Sequence, residues 1–104
     1  MERIVIVAYR PKPGKEDVLV TLARSHWSVL NSQGLVSDRK PIISKAEDGS
    51  VVEVFGWKSE DAINQAHTNE VVQQLWAEFA EVCDYIPVGD VKEASQLFTE
   101  LTPV

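Results

Sequence analysis

The sequence predicts an α+β fold of the ferredoxin-like type, with the element order βαββαβ and two helices on one face of a four-stranded antiparallel sheet. Runs of β-branched and apolar residues alternate with two segments of helical periodicity, and a turn signal in mid-chain marks a hairpin between two strands. A chain of 104 residues is the size of one domain, so residues 1–104 are expected to fold as a single unit.

A strong turn signal separates the first strand from the first helix. Residues 3–9 are mostly apolar and β-branched, and the sequence Pro-Lys-Pro-Gly at 11–14 ends the predicted strand. Residues 15–32 carry their apolar side chains on one side of a 3.6-residue helix, which predicts an amphipathic helix. Gly34 is placed to terminate that helix.

A β-hairpin is predicted in the middle of the chain. Residues 35–46 mix apolar and charged side chains around Pro41, which favours a strand at a sheet edge or a bulge. The sequence Glu-Asp-Gly-Ser at 47–50 is typical of a tight turn. Residues 51–57 are then expected to form a third strand, antiparallel to the second.

The C-terminal half is predicted to hold a short helix, a long helix and a last strand. Ser59 is a favourable N-cap for a helix over 59–66. Residues 70–85 repeat the amphipathic pattern of the first helix and stop before Pro87. The apolar run at 97–101 predicts the fourth strand.

Two of the predicted strands are apolar on both faces. In the first strand Ile4 and Ile6 point to one side, whereas Val5 and Val7 point to the other, and the third strand shows a similar pattern. Two helices cover only one face of a sheet, and the other face would expose more apolar area than a monomer usually tolerates. We therefore expect a homodimer in which two sheets pack face to face.

The composition argues against several classes of function. A net charge of −6 disfavours a nucleic-acid partner, and no apolar run is long enough to cross a membrane. The single cysteine, Cys83, lies on an apolar stripe and is expected to be a buried thiol in a cytoplasmic protein. With two histidines and no His-x3-His pair, neither a metal ion nor a cofactor is expected.

His26 is the most informative residue of the chain. When Val18 is set at 0° and each residue advances by about 100°, His26 lies at about 80°, at the centre of the apolar stripe of the first helix. A buried imidazole needs a partner for each ring nitrogen, and Glu53, in the middle of an apolar strand, is a candidate partner. His26 is therefore either a hydrogen-bonded core histidine or a pocket histidine that acts as a general base or contacts a ligand.

Three groups of residues resemble a known family. They are Lys12-Pro13-Gly14-Lys15-Glu16 before the first helix, Phe55-Gly56-Trp57-Lys58-Ser59 at the end of the third strand, and Ala66-His67 followed by Leu75-Trp76-Ala77-Glu78-Phe79. With its element order, the chain resembles the antibiotic biosynthesis monooxygenase-like family of the dimeric α+β barrel superfamily. The resemblance implies a pocket between the helices and the sheet of each protomer.

Further polar and aromatic residues extend the candidate site. His67 lies at the break between the two C-terminal helices, where it either ends a helix or borders a pocket. Trp76 and Phe79 lie on the apolar stripe of the long helix and either fill the core or line the pocket. Trp27, at the edge of the first stripe, is placed to wall the same pocket, whereas Trp57 is expected at the dimer interface or the barrel rim.

The resemblance also implies a function. The family includes cofactor-free monooxygenases of polyketide quinones, and their Asn and Trp in the second helical region are matched most nearly by Asn69 and Trp76. We expect a cofactor-independent, monooxygenase-like protein that acts on a small apolar or aromatic compound. The alternatives are a non-catalytic small-molecule-binding or stress-responsive dimer, and a structural dimer with no pocket. The expected catalytic residues are His26, His67 and Asn69, and the expected substrate contacts are Trp27, Trp76, Phe79 and Glu53.

Overall fold

The computed structural model describes all 104 residues and has an α+β architecture, which confirms the predicted class. The two long helices and the short helix are present as predicted, but the antiparallel sheet has five strands rather than four, and two short 3₁₀ turns follow the fourth strand. In chain order the elements are β1 (Arg3–Pro11), α1 (Glu16–Ser32), β2 (Ile42–Lys45), β3 (Val51–Trp57), α2 (Glu60–Ala66), α3 (Glu70–Val82), β4 (Cys83–Ile86), the 3₁₀ turns Val88–Asp90 and Lys92–Ser95, and β5 (Thr102–Pro103).

The sheet has the strand order β4-β1-β3-β2-β5, and every neighbouring pair is antiparallel. In the central pair, Val7 of β1 lies opposite Glu53 of β3, and Tyr9 lies opposite Val51. Because side chains alternate between the faces of a strand, this register makes Tyr9 and Glu53 diagonal neighbours on the same face.

Helix α1 ends in a well-formed C-terminal cap. Gly34 has a φ of 71°, which lies in the left-handed region that favours glycine. Its N–H donates to the carbonyl of Asn31, and the N–H of Leu35 donates to the carbonyl of Leu30, the pair of bonds that defines a Schellman motif. Leu30 and Leu35 are both buried in one apolar cluster, so the cap fixes the end of the helix that carries His26.

The core lies between the helices and one face of the sheet. The apolar stripe of α1 packs against that of α3, and both cover the central strands. The fully buried side chains of these two stripes are Leu19, Ala23, Leu30, Val72 and Phe79. The predicted amphipathic helices therefore form, and their apolar faces point at the sheet.

The predicted last strand is wrong. Residues 97–101 form no strand, and the side chains of Leu97 and Phe98 are 94% and 77% exposed. The fourth strand instead follows α3 directly, because the backbone becomes extended at Cys83 and residues 83–86 pair with the end of β1. The helix predicted over 70–85 accordingly ends at Val82.

The predicted second strand is shortened, and the first is lengthened. Of residues 35–46 only Ile42–Lys45 form a strand, so Pro41 lies just before it rather than inside it. Pro11 can end β1 because that position needs no further ladder hydrogen bond from its nitrogen. The hairpin at 47–50 and the strand at 51–57 are confirmed.

The second face of the sheet is partly covered by the chain itself, which the sequence analysis did not anticipate. Val91 and Leu101 of the C-terminal segment pack against the cluster formed by Ala8 and Val52. Three isoleucines of β1 and β2 on this outer face remain more than half exposed: Ile4, Ile6 and Ile42. An exposed apolar area therefore remains on the outer face.

Candidate functional site

A cavity of about 390 Å³ lies between the sheet and helices α1 and α3. Its wall is almost entirely aromatic and aliphatic, and His26 is the one lining residue outside those classes. Tyr85 is 50% exposed and lines the cavity, so the cavity reaches the protein surface at this residue. The lining residues are Val5, Val7, Tyr9, His26, Phe55, Trp57, Trp76 and Tyr85.

His26 and Glu53 form a buried pair at the polar end of the cavity. Nδ1 of His26 lies 2.8 Å from Oε1 of Glu53, and the two residues are 4% and 0% exposed. The apolar stripe of α1 places the imidazole above the sheet, and the alternation of β3 turns Glu53 towards it. The pairing that the sequence suggested is therefore present.

Tyr9 is the third member of this buried cluster. Its hydroxyl donates a hydrogen bond of 2.7 Å to Oε1 of Glu53 and lies 3.3 Å from Nδ1 of His26. Burial, followed by the charge of Glu53, raises the pKa of Tyr9 far above its ordinary value, so the hydroxyl keeps its proton. The ring stacks on Phe79 with a centroid distance of 4.8 Å, which fixes its position.

Trp76 determines which nitrogen of His26 carries the proton. The indole Nε1 of Trp76 lies 3.2 Å from Nε2 of His26. An indole N–H can only donate a hydrogen bond, so Nε2 must accept it and Nδ1 must carry the hydrogen that is donated to Glu53. His26 is thus a neutral imidazole whose unprotonated nitrogen faces Trp76 at the wall of the cavity.

Glu53 carries a buried charge that no cation balances. Both donors of the cluster reach Oε1, while Oε2 is buried without a hydrogen-bond partner. Apart from the contact with His26, the only ion pair joins Arg39 to Glu2 at the surface. A buried carboxylate with one oxygen unpaired is costly, so Glu53 depends on the two donors that reach Oε1.

The structure places the other predicted catalytic residues outside the cavity wall. His67 is exposed, with Nδ1 2.9 Å from the carbonyl of Ile63, and its ring packs edge-on against Trp76 at 5.4 Å. Asn69 is the N-cap of α3, where its side-chain oxygen accepts the N–H of Val72. Both residues therefore have local roles at helix ends.

The predicted substrate contacts divide into two groups. Trp76 lines the cavity, whereas Phe79 is fully buried behind Tyr9 and Glu53 lies behind His26. Trp27 packs against the neighbouring apolar cluster and does not line the cavity, and its indole N–H has no partner.

Sequence reasoning missed two important parts of the cavity. Tyr9 shares the inner face of β1 with Val5 and Val7, so the alternation of the strand was a signal that could have placed it there. Trp57 was expected at the dimer interface or the barrel rim, but it is 6% exposed and lines the cavity beside Phe55. The aromatic content of the wall is therefore higher than predicted.

No group of three or more His, Cys, Asp or Glu side chains is arranged to hold a metal ion. None of the helices combines the length and the apolar character that crossing a membrane requires.

Comparison with known proteins adds no family to this description. No family model matches the chain, and no match was found among curated proteins or solved structures.

Proposed function

We propose that the cavity binds a small apolar, aromatic compound and that the protein acts on it as a cofactor-independent monooxygenase. The observation that carries the proposal is a single imidazole, backed by a buried carboxylate, in a cavity otherwise lined by aromatic and aliphatic side chains. Such walls take up flat apolar ligands by burial of apolar surface, and one polar group orients them.

His26 is the general base of this proposal. Its Nε2 is unprotonated and can take a proton from the ligand, while Glu53 stabilises the imidazolium that forms. Oxidation of a ring CH₂ group by O₂ then gives a carbonyl group and water, so that the substrate itself supplies the electrons. This is the reaction that the family resemblance implies, and it needs no cofactor.

Oxygen uptake tests the proposed reaction. With 1,8-dihydroxyanthrone as the probe, we expect His26→Gln to lower the enzymatic rate by about 10²- to 10⁴-fold, because glutamine can still donate to Glu53 but cannot act as the base. Arg24→Gln, an identical replacement on the exposed side of α1, is the control and should keep the wild-type rate. Equal rates in the two variants would contradict the role of His26.

A non-catalytic binding protein is the second candidate. It is favoured by the observation that both nitrogens of His26 already have partners, Glu53 and Trp76. In that case the cluster only orients the ligand. Saturable binding of the anthrone without oxygen uptake above that of the free compound would select this candidate.

We also propose that the domain is ferredoxin-like and forms a cytoplasmic homodimer through its outer sheet face. The strand order β4-β1-β3-β2 supports the ferredoxin-like layout. Ile6 and Ile42 lie opposite Val54 on either side of it, so an apolar row crosses three strands on the outer face. Sedimentation should give about twice the chain mass of 11.6 kDa, and a monomer at micromolar concentration would contradict the dimer.

A further inference from the structure

Each hydrogen bond of the buried cluster has a definite donor and acceptor. The hydroxyl of Tyr9 and Nδ1–H of His26 both donate to Glu53, and the indole N–H of Trp76 donates to Nε2 of His26. Because His26 lines the cavity and Glu53 does not, Nε2 is the acceptor that this cluster can offer to a ligand. In the structure, Nε2 accepts the indole N–H of Trp76.

A hydroxyl group matches the hydrogen-bonding groups of Trp76 and His26, and it fits between them once the two rings move apart from their 3.2 Å contact. A hydroxyl donates one hydrogen bond and accepts others. Placed between the two rings, it donates to Nε2 of His26 and accepts from the indole N–H of Trp76, so neither ring loses a partner. A methyl group at the same place would leave both ring groups unpaired, which costs binding free energy.

The charge of the cluster disfavours an anionic ligand at this position. Glu53 is completely buried, its Oε2 has no partner, and no Lys or Arg forms an ion pair with it. A carboxylate against His26 would meet the lone pair of Nε2 and, behind it, the charge of Glu53. Repulsion between like charges is strong where water is excluded.

We propose that the cavity selects uncharged aromatic ligands that carry a hydroxyl group, and that this hydroxyl inserts between Nε2 of His26 and the indole N–H of Trp76. The proposal rests on ligand binding in the cavity and names the ligand class that the proposed function left open. Trp76 is then a specificity-determining residue, since its N–H occupies Nε2 of His26 and a ligand must replace this hydrogen bond.

Three ligands of matched size test the selection in the wild-type protein by calorimetric titration: 2-naphthol, 2-methylnaphthalene and 2-naphthoate. We expect 2-naphthol to bind about three- to tenfold more tightly than 2-methylnaphthalene, the worth of one net hydrogen bond, and 2-naphthoate to bind most weakly. Equal affinity for all three overturns the selection but leaves binding in the cavity intact. Absence of binding by any of them overturns both.

A variant that lacks the carboxylate of Glu53 provides a second test of the proposal. In Glu53→Gln we expect the preference for 2-naphthol over 2-naphthoate to fall by at least about tenfold, because the repulsion is gone. Glu78→Gln removes an exposed carboxylate from α3 and should leave the preference unchanged. An unchanged preference in a folded Glu53→Gln protein overturns the electrostatic argument. If that variant fails to fold, the comparison of the three ligands in the wild-type protein still decides the proposal.

Discussion

The indole N–H of Trp76 donates a hydrogen bond to Nε2 of His26 across 3.2 Å, and this contact connects helix α3 to helix α1 at the wall of the cavity. It assigns the proton of the imidazole to Nδ1, where Glu53 accepts it. In the proposed binding mode, the hydroxyl group of the ligand replaces this contact. We therefore expect the stability, the ligand choice and the chemistry of His26 to depend on one cluster of four side chains, Tyr9, His26, Glu53 and Trp76.

Tyr9→Phe should destabilise the protein by about 1–3 kcal/mol, because Glu53 loses a buried hydrogen-bond donor. Tyr85→Phe is the matched control, since the Tyr85 hydroxyl is in a half-exposed side chain and reaches only the carbonyl of Trp76 at 3.3 Å. We expect the free energy of unfolding of Tyr85→Phe to fall by less than about 1 kcal/mol. Urea unfolding measures both, and equal losses would show that the Tyr9 hydroxyl contributes no more than an exposed one.

Asn69→Ala should lower the free energy of unfolding by about 1 kcal/mol, because helix α3 loses its N-cap. Asn69→Asp keeps the capping oxygen and should retain most of the stability. Neither change should alter the affinity for 2-naphthol, because the Asn69 side chain does not line the cavity. A loss of affinity in Asn69→Ala without a loss of stability would indicate that Asn69 contributes to ligand binding.

The protein should lose stability at alkaline pH through Cys83. Burial, followed by the charge of Asp84, raises the pKa of the Cys83 thiol from its ordinary value of 9.0 to about 11. The folded state therefore holds this proton more tightly than the unfolded state, so the stabilisation is complete below pH 9.0 and is lost as the pH rises towards about 11.

Cys83→Ser isolates this effect, because serine can donate to the carbonyl of Phe79 as the thiol does but does not titrate in this range. Relative to the variant, the wild-type protein should lose about 1–2 kcal/mol of its free energy of unfolding between pH 8 and pH 11, as measured by urea unfolding at each pH. If the free energy of unfolding depended on pH in the same way in both proteins, the raised pKa of Cys83 would be contradicted.

Ile6→Glu should convert the proposed dimer into a folded monomer. Ile6 is 53% exposed in one copy, so the substitution is tolerated within the protomer, but it would bury a charge between two apolar sheet faces. Val71→Glu makes the same kind of change at a position on α3 that is 46% exposed and should remain dimeric. Sedimentation equilibrium distinguishes the two, and a dimeric Ile6→Glu would place the interface elsewhere.

The helices and central strands could be predicted because their signals are local. The apolar stripe that placed His26 inside α1 depends only on the helical period, and Ser59 and Asn69 both cap helices as their residue types favour. The fourth strand could not be placed in the same way. Cys83 continues the apolar pattern of α3, and only its pairing with Pro11, distant in sequence, makes it part of a strand.

The candidate site was predictable in part for the same reason. A histidine at the centre of an apolar stripe and a glutamate inside an apolar strand each violate the local pattern, and such violations mark positions that need a partner. Asn69 and His67 violate nothing, and the structure gives them roles at helix ends. Trp57 fits its strand as an apolar residue, so only the three-dimensional packing reveals that it lines the cavity, whereas the alternation of β1 already places Tyr9 on the same face as Val5 and Val7.

The most direct test of the account is the protonation state of His26 with and without 2-naphthol. Long-range ¹H–¹⁵N correlation spectra of protein labelled with ¹⁵N-histidine report the two ring nitrogens, and the variant His67→Gln identifies the signals of His26 because the chain has two histidines. We expect a neutral imidazole with the proton on Nδ1, and a change at Nε2 when 2-naphthol is added. A proton on Nε2 in the free protein, or an Nε2 signal that does not respond to the bound ligand, would contradict the proposed site.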